Sequence, residues 1–420
     1  MRSVDALIIG GGQAGLATSF LLTRGGIDHL VLERDSIAAR WRSRWDSFTL
    51  VTPNWMTRLP GGEYGGPEPD GFMPRDEVVA HLERYADSFG APLRLGTDAR
   101  AVVRHNGGYR VETNTGLIDA RAVVVASGSF QRPRRPSLGS LPAGVLDLHS
   151  NDYRNPEQLP AGAVLVVGSG QSGAQLAEEL HEAGRRVFLS VSRAPRLPRR
   201  YRGRDITRWL ADMGAIGKPA DELEDPRERF AANAHASGKR GGHTINLHRF
   251  ARDGISLLGK VHAVSDGIVT LAGDLDENLA RADKTADQIR RAVDAYVAER
   301  GIDAPPPDEH NSDDYDGDDG FRQPPRGEID LAGEGVSTVI WSAGYAWDFS
   351  WVSPAELDEF GYPVQRRGVT KQPGLYFLGL NYLYLPTSGL LYGVGDDARH
   401  VAEHIDGYLG RREQNAPRQS

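Results

Sequence analysis

The chain contains no cysteine. Disulfide bonds, thiolate metal sites and C-x-x-C redox pairs are therefore excluded, and any redox chemistry has to be carried by a bound cofactor. Also missing is any apolar run near the ~18 residues that would span a bilayer. Positive charge is not in excess: the formal net charge of −8 argues against general binding to nucleic acid or to a membrane surface. A first strand that begins almost at Met1 leaves no room for a signal peptide, so cytoplasmic residence is the expectation. What is present, 39% hydrophobic and 25% charged residues in 420, fits a globular protein of about two or three domains.

The stretch that organises the chain runs from Val4 to Gly15 and is read together with Glu33. Ala6-Leu7-Ile8-Ile9 is an apolar run suited to a buried parallel strand. It leads into Gly10-Gly11-Gly12-Gln13-Ala14-Gly15, the spacing G-x-G-x-x-G, and then into helical spacing at Leu16, Ala17, Phe20, Leu21 and Leu22. Gly10 permits the tight turn, Gly12 lets the backbone approach a pyrophosphate, and Gly15 lets the helix close on the strand. Free N–H groups at the helix start suit phosphate. Glu33, ending the second run Leu30-Val31-Leu32, stands where a carboxylate can accept from a ribose diol.

The pattern repeats. Val164-Leu165-Val166-Val167 leads into Gly168-Ser169-Gly170-Gln171-Ser172-Gly173, and a helix follows with Ala174, Leu176, Ala177 and Leu180. Two such units imply two nucleotide sites. After the second unit's next strand, Val187 to Val191, no acid appears; Ser190, Ser192 and Arg193 stand there, and Arg196, Arg199, Arg200, Arg202 and Arg204 follow. A carboxylate would repel a 2′-phosphate, whereas serine and arginine bind it, so this site reads as one for NADPH. Arg202 and Arg204 serve equally well as a solvated loop surface.

Between and beyond these units, proline and glycine from Pro60 to Pro74 mark a loop, and a helix to Phe89 buries Val78, Val79, Leu82 and Tyr85. Ala122-Val123-Val124-Val125 is a buried strand ending in Ala126-Ser127-Gly128, and Pro133 to Pro160 reads as a connector. Residues 205–330 carry the weakest pattern, with helical spacing at Ile289, Val293, Tyr296 and Val297. Asp314, Asp316 and Asp318 begin like a calcium loop, but Asp319 takes the glycine position and no glutamate stands at the twelfth, so a solvated loop is the better reading. Buried strands return at Thr338–Trp341 and Leu375–Gly379, before a final helix with Ala398, Val401, Ala402 and Ile405 and a frayed tail. The expected fold is α/β, with two Rossmann-like dinucleotide-binding domains. The first is discontinuous, 1–155 and 331–420. The second, 156–330, is inserted within it and carries a variable, partly acidic insertion at about 205–330.

Gly10-x-Gly12-x-x-Gly15 with Glu33, Ala126-Ser127-Gly128, Gly168-x-Gly170-x-x-Gly173 and Ser342-Ala343-Gly344-Tyr345 together resemble the class B, flavin-containing type of flavoprotein monooxygenase. The likeness covers nearly the whole chain. It implies FAD at the first site and NADPH at the second. FAD would then contact Gly10, Gly12, Gln13, Ala14, Gly15, Glu33, Arg34, Ala126 and Gly128. Trp41 and the Thr52-Pro53-Asn54 turn would lie beside the isoalloxazine, and Gly389-Leu390-Leu391 would present a helix N-terminus to its pyrimidine edge. NADPH would contact Gly168, Gly170, Gln171, Ser172, Gly173, Ser192 and Arg193. Of the family's connector motif, F-x-G-x-x-x-H-x-x-x-Y/F, the second half is intact at His149 and Tyr153, while Ala143 and Val145 replace its phenylalanine and glycine. Tyr153 in place of tryptophan favours heteroatom or carbon hydroxylation over Baeyer–Villiger chemistry. His149 either touches NADP⁺ and gates the domains or is a structural linker residue. Leu50 to Trp55, Gly71 to Arg75 and the acidic insert are also similar to the flavoproteins of bacterial nitrilase-type gene clusters.

The resemblance implies an FAD-containing, NADPH-dependent monooxygenase that forms a C4a-hydroperoxyflavin and oxygenates a small nucleophilic nitrogen, sulfur or activated carbon. Its partners are that substrate and dioxygen, with no nucleic acid or membrane partner; a homodimer is the default assembly. Asn54, His149 and Tyr153 are the candidate catalytic residues, Asn54 either bonding near flavin N5 or only capping its own turn. Two other readings stand beside it: a flavin oxidoreductase passing electrons to a quinone or protein, and a flavin-bound scaffold, against which the intact second glycine motif and Arg193 argue.

Overall fold

Two parallel sheets, each started by one of the glycine turns, organise a computed structural model that describes residues 2–307, 318 and 320–414. Most of the acidic tract, and the tail beyond residue 414, lie outside the described residues. In the first sheet Arg2–Ile9 sits centrally, parallel to His29–Leu32 on one side and to Gly116–Val125 on the other. Leu93–Arg94 extends the first edge and Leu375–Phe377 the second, both in parallel. An antiparallel hairpin, Ala99–His105 and Gly108–Thr113, branches from Gly116–Val125. Ala6, Leu7 and Ile8 are fully buried between their neighbours, and this is why the strand reads as a continuous apolar run. Leu7 and Ile8 each contribute roughly 1.5–3 kcal/mol on burial.

Covering that sheet are the helix Gln13–Arg24, the helix Arg75–Ser88 with Val78, Val79, Leu82 and Tyr85 buried, and the terminal helix Val394–Gln414 with Ala398, Val401, Ala402 and Ile405 inward. The apolar spacing seen in the sequence at these positions therefore corresponds to the buried stripes.

The second sheet runs in the order Leu146–His149, Val336–Trp341, Ala163–Val167, Val187–Ser190, Ser256–Leu258, all parallel. It reaches beyond the expected 156–330. The strand Leu146–His149, within the segment read as a connector, and the strand Val336–Trp341, placed in the first domain, both belong to this sheet. Four residues in a proline-rich stretch carry too little pattern to announce a strand. Alternation divides the sheet's two faces: Val164 and Val166 join the main core, whereas Ala163, Leu165 and Val167 pack on a three-stranded antiparallel ribbon of Val261–Ser265, Ile268–Leu271 and Glu328–Asp330.

The helix Leu275–Arg300 turns Val293 and Val297 onto Tyr201, Ile206 and Trp209, forming a separate small core. Among the described residues no helix is long and apolar enough to cross a membrane.

Candidate functional site: paired glycine turns and the cleft above them

The two glycine turns have the same geometry residue for residue. Ile9 pairs with Leu32 and Val125; Val167 pairs with Ser190 and Trp341. Ala126 therefore corresponds to Ser342, and Glu33 to Val191. Gly10 (φ +120°) and Gly168 (φ +103°) each press against that neighbouring strand's end. A Cβ on Gly10 would lie 2.3 Å from Ala126 O, and one on Gly168 2.7 Å from Ser342 O. In each turn the third glycine packs its helix on the first: a Cβ on Gly15 would lie 1.8 Å from Gly10 O, and one on Gly173 1.8 Å from Gly168 O. The middle glycines differ in kind, because a Cβ on Gly12 or Gly170 meets nothing within 4 Å. Their bare backbones face open space, and no side chain caps either helix. The first-turn N–H groups stay available to an anion.

The residues just past each unit's second strand separate the sites. Glu33 Oε2 accepts from the Gly11 N–H at 2.7 Å, and Oε1 from the Asp35 N–H at 3.0 Å. Each carboxylate oxygen keeps a lone pair for a ribose hydroxyl. In the second unit Val191 is apolar and buried, and the turn is fastened the other way, by the Ser192 N–H donating to Ser169 Oγ at 2.9 Å. No carboxylate stands there to repel a phosphate. Arg193 is exposed, and no described carboxylate pairs with it. The other arginines are committed elsewhere. Arg196 pairs with Asp283 at 2.6 Å; Arg199, fully buried, holds Asp205 and the Val51 carbonyl; Arg200 donates to Gly241 and Gly242 carbonyls. Arg202 and Arg204 hold Asp294 and Asp212. The run of arginines is thus mostly scaffolding of the insertion, not a cationic patch.

Above the first turn lies a cavity of about 470 Å³. Its lining brings together Gly10, Gly12, Gln13, Ala14, Glu33, Arg34, Trp41, Ala126, Gly128 and Gly389 from the expected FAD contacts. One chain of hydrogen bonds joins three of these distant segments: Trp41 Nε1 donates to Gln13 Oε1 at 2.9 Å, and Gln13 Nε2 donates to the Gly389 carbonyl at 3.1 Å. Gln171, at the same place in the second unit, clasps Ala236 through both its amide atoms. Thr52, Leu390 and Leu391 do not line the cavity. Gly389 to Leu391 is a turn, and the helix begins at Val394, whose N–H bonds to Leu390 O at 3.1 Å.

The three candidate catalytic residues stand outside this lining, and contacts within the protein use their polar atoms. Asn54 is buried; its amide donates to the Glu68 carbonyl at 2.9 Å and accepts from the Met73 N–H at 2.7 Å. It fastens the glycine- and proline-rich loop rather than capping only its own turn. His149 is fully buried, accepts at Nδ1 from the Asn151 N–H, and so donates from Nε2 to the Gly344 carbonyl. Burial lowers its pKa, with the Gly344 bond opposing. It ties the ends of two strands of the second sheet together. Tyr153, fully buried, donates to Glu179 Oε1 at 3.3 Å, and Ser47 donates to the same carboxylate. That carboxyl is pushed up by burial, with the Ser47 hydroxyl acting against the shift. The pair joins the second glycine helix to the first domain.

Other lining groups escape the motif reading. Ser129 Oγ accepts from the Asn381 N–H at 2.7 Å, and Gln131 bridges the Gly128 carbonyl and the Asp348 N–H. Partners more than two hundred residues apart leave no local signal. Arg40 and Arg44 also line the cavity, and only their i, i+4 spacing hints at a shared face.

Residues 7–211 match the pyridine nucleotide-disulphide oxidoreductase family. The chain is similar over its length to an uncharacterized CzcO-like oxidoreductase of Geobacillus kaustophilus: 32% identical over 408 residues, 96% of this chain and 98% of the relative. An indole-3-pyruvate monooxygenase, YUCCA1 of Oryza sativa subsp. japonica, is 33% identical over 220 residues, 49% of this chain and 54% of that one. Among solved structures, a flavin-containing monooxygenase from Stenotrophomonas maltophilia shares the fold with a TM-score of 0.63 at 21% identity, covering 97% of this chain and 100% of that one.

Proposed function

The chain belongs to the CzcO-like oxidoreductases, and from that premise we propose that it is an FAD-containing, NADPH-dependent monooxygenase acting on a small molecule with dioxygen. The observation that carries the reading is the pair of like-built glycine turns, each with an open middle glycine and an uncapped helix above it. FAD fits the first turn, where Glu33 offers lone pairs to a ribose and the cavity extends to Trp41 and Gly389. NADPH fits the second, where Val191 replaces the acid and Ser192 and Arg193 suit a 2′-phosphate. Bound together, the two supply hydride transfer and the reductive use of dioxygen.

The protein's own contribution is to hold and to shield. Gln13 fixes Trp41 and the Gly389 turn on either side of the cavity. Tyr153 and Glu179 set the second glycine helix against the first domain, and His149, held neutral by burial, keeps the strand ends that face the cleft in register. No thiol exists to relay electrons to a disulphide. Within the family, that chemistry is closed to this chain.

Anaerobic mixing of the purified yellow protein with NADPH, followed by exposure to oxygen, tests the reading. Bleaching by NADPH, then a transient spectrum distinct from both reduced and oxidised flavin and prolonged by NADP⁺, is expected. A colourless protein that takes up no FAD, or a flavin that NADPH does not reduce, would sink the proposal. Direct return to the oxidised spectrum, accelerated by a quinone, would assign electron transfer in place of oxygenation.

A further inference from the structure

Four guanidinium groups line the cavity: Arg34, Arg40, Arg44 and Arg132. Two have counter-ions, Arg34 in Asp35 at 3.3 Å and Arg132 in Asp348. Arg40 and Arg44 have no carboxylate in ion-pair reach among the described residues. Arg40 makes only long contacts, 3.5 Å to Asn151 Oδ1 and 3.5 Å to the Gln131 carbonyl. The Arg44 guanidinium lies against two rings, 4.7 Å from the centroid of Phe130 and 5.7 Å from that of Phe48. Both side chains are half-buried. Burial pulls each below the ordinary arginine range; the neighbouring charge of Arg34 adds to this for Arg40, with the more distant carboxylates of Asp35 and Glu33 opposing, and that of Arg40 adds to it for Arg44.

Tyr345, from the segment that follows the strand Val336–Trp341, shares Asn151 with Arg40 and Phe130 with Arg44. Its hydroxyl donates to Asn151 Oδ1 at 3.3 Å, and its ring meets Phe130 edge-on at 5.0 Å. The seam between the two sheets thus holds two partly desolvated positive charges four residues apart, with a neutral hydroxyl and a neutral amide beside them. Like charges at that spacing repel, and burying a charge without a partner is unfavourable. A scaffold that neutralises Arg34 and Arg132 in the same cavity leaves these two open. FAD's own pyrophosphate has the first-turn N–H groups at Gly12, and the Phe130 ring on which Arg44 rests is exposed.

We propose that Arg40, Arg44 and Tyr345 form an oxyanion site that takes the carboxylate or phosphate group of a small organic substrate, with Phe130 beside it to meet the substrate's apolar part. The site rests on the reading of the cavity as the FAD pocket. It turns an unspecified small molecule into an anionic one.

Benzoate is a suitable probe, and calorimetry reads its binding whether or not flavin is present. Wild-type holoenzyme is expected to bind benzoate saturably, more weakly as salt rises. Arg44→Gln and Arg40→Gln should each raise the dissociation constant at least about tenfold, and Arg44→Lys less than Arg44→Gln, while the ratio of flavin to protein absorbance and the affinity for NADP⁺ stay at wild-type values. Absence of saturable benzoate binding to the wild type would overturn the proposal. So would loss of FAD from the folded Gln variants, which would give the arginines to the flavin pyrophosphate, or a matching loss of NADP⁺ affinity, which would give them to the nicotinamide nucleotide. A wild-type protein that takes up no FAD yet binds benzoate through Arg44 would refute the flavin reading and leave the anion site standing.

Discussion

The most exacting prediction concerns Gly173→Ala. A methyl group there would sit 1.8 Å from Gly168 O, where a carbon–oxygen contact of about 3.3 Å is the ordinary limit. Strand end and helix would have to part by about 1.5 Å, and the phosphate-facing N–H groups would move with the helix. Losing one or two charge-assisted hydrogen bonds costs roughly 1.5–3 kcal/mol each, and about 2.7 kcal/mol is a 100-fold change in affinity. NADP⁺ should therefore bind about 100-fold more weakly, read by its perturbation of the flavin spectrum, while FAD content stays near one per chain because Gly15 is untouched. Gly15→Ala, with the same 1.8 Å conflict against Gly10 O, should lose FAD instead. Gly12→Ala separates packing from binding: its Cβ meets no protein atom within 4 Å, so the FAD-free protein should melt as wild type does and yet retain FAD poorly. Wild-type NADP⁺ affinity in Gly173→Ala, or full FAD retention in Gly12→Ala, would refute the placing of the two dinucleotides.

Arg193→Ala should raise the KM for NADPH about tenfold or more and leave that for NADH nearly unchanged, as steady-state kinetics with both would read; equal effects on the two would exclude a 2′-phosphate contact. Asn54→Ala strips the buried Met73 N–H and the Glu68 carbonyl of their partner and should cost about 1–3 kcal/mol of stability in denaturant titration; unchanged stability with an altered reaction of reduced flavin with oxygen would return Asn54 to the chemistry. His235 is fully buried, neither ring nitrogen has a hydrogen-bond partner on another of the described residues, and burial, opposed by its own backbone, pulls its pKa from 6.5 down to about 4. Between those values the unfolded chain binds more protons than the folded one, so stability is complete above about pH 6.5 and falls as pH drops toward 4. From pH 7 to pH 5 the loss is about 2 kcal/mol, and it should vanish in His235→Leu when the two proteins' denaturation midpoints are compared across that range; parallel pH profiles would show that His235 is not the titrating group.

Sequence alone determined the parts of this protein that depend on neighbours a few residues apart. A strand, three glycines at fixed offsets and a helix are required by local sterics, so both turns were legible, as was Glu33 as the acid closing the first unit. Apolar spacing marked the stripes of the helices Arg75–Ser88 and Val394–Gln414 for the same reason. An absent cysteine closed off disulfide chemistry without any structure.

Only the tertiary structure decided which polar groups remain free. Arg193 and Arg196 look alike in sequence, yet one is exposed and the other is held by Asp283 from a helix far along the chain. Asn54, His149 and Tyr153 were legible as polar residues in suggestive places, but their partners Glu68, Gly344 and Glu179 could be identified only once the chain had closed on itself. The strand Leu146–His149 joined the second sheet because Val336–Trp341 offered it an edge, not because its four residues demand extension. Arg40 and Arg44 became notable when the fold brought Asp348 to Arg132 and, among the described residues, no carboxylate into ion-pair reach of them. Backbone turns are written in short-range sterics, whereas the pairing of charges and hydrogen bonds in a cleft is a long-range outcome, fixed by which distant segments the core brings together.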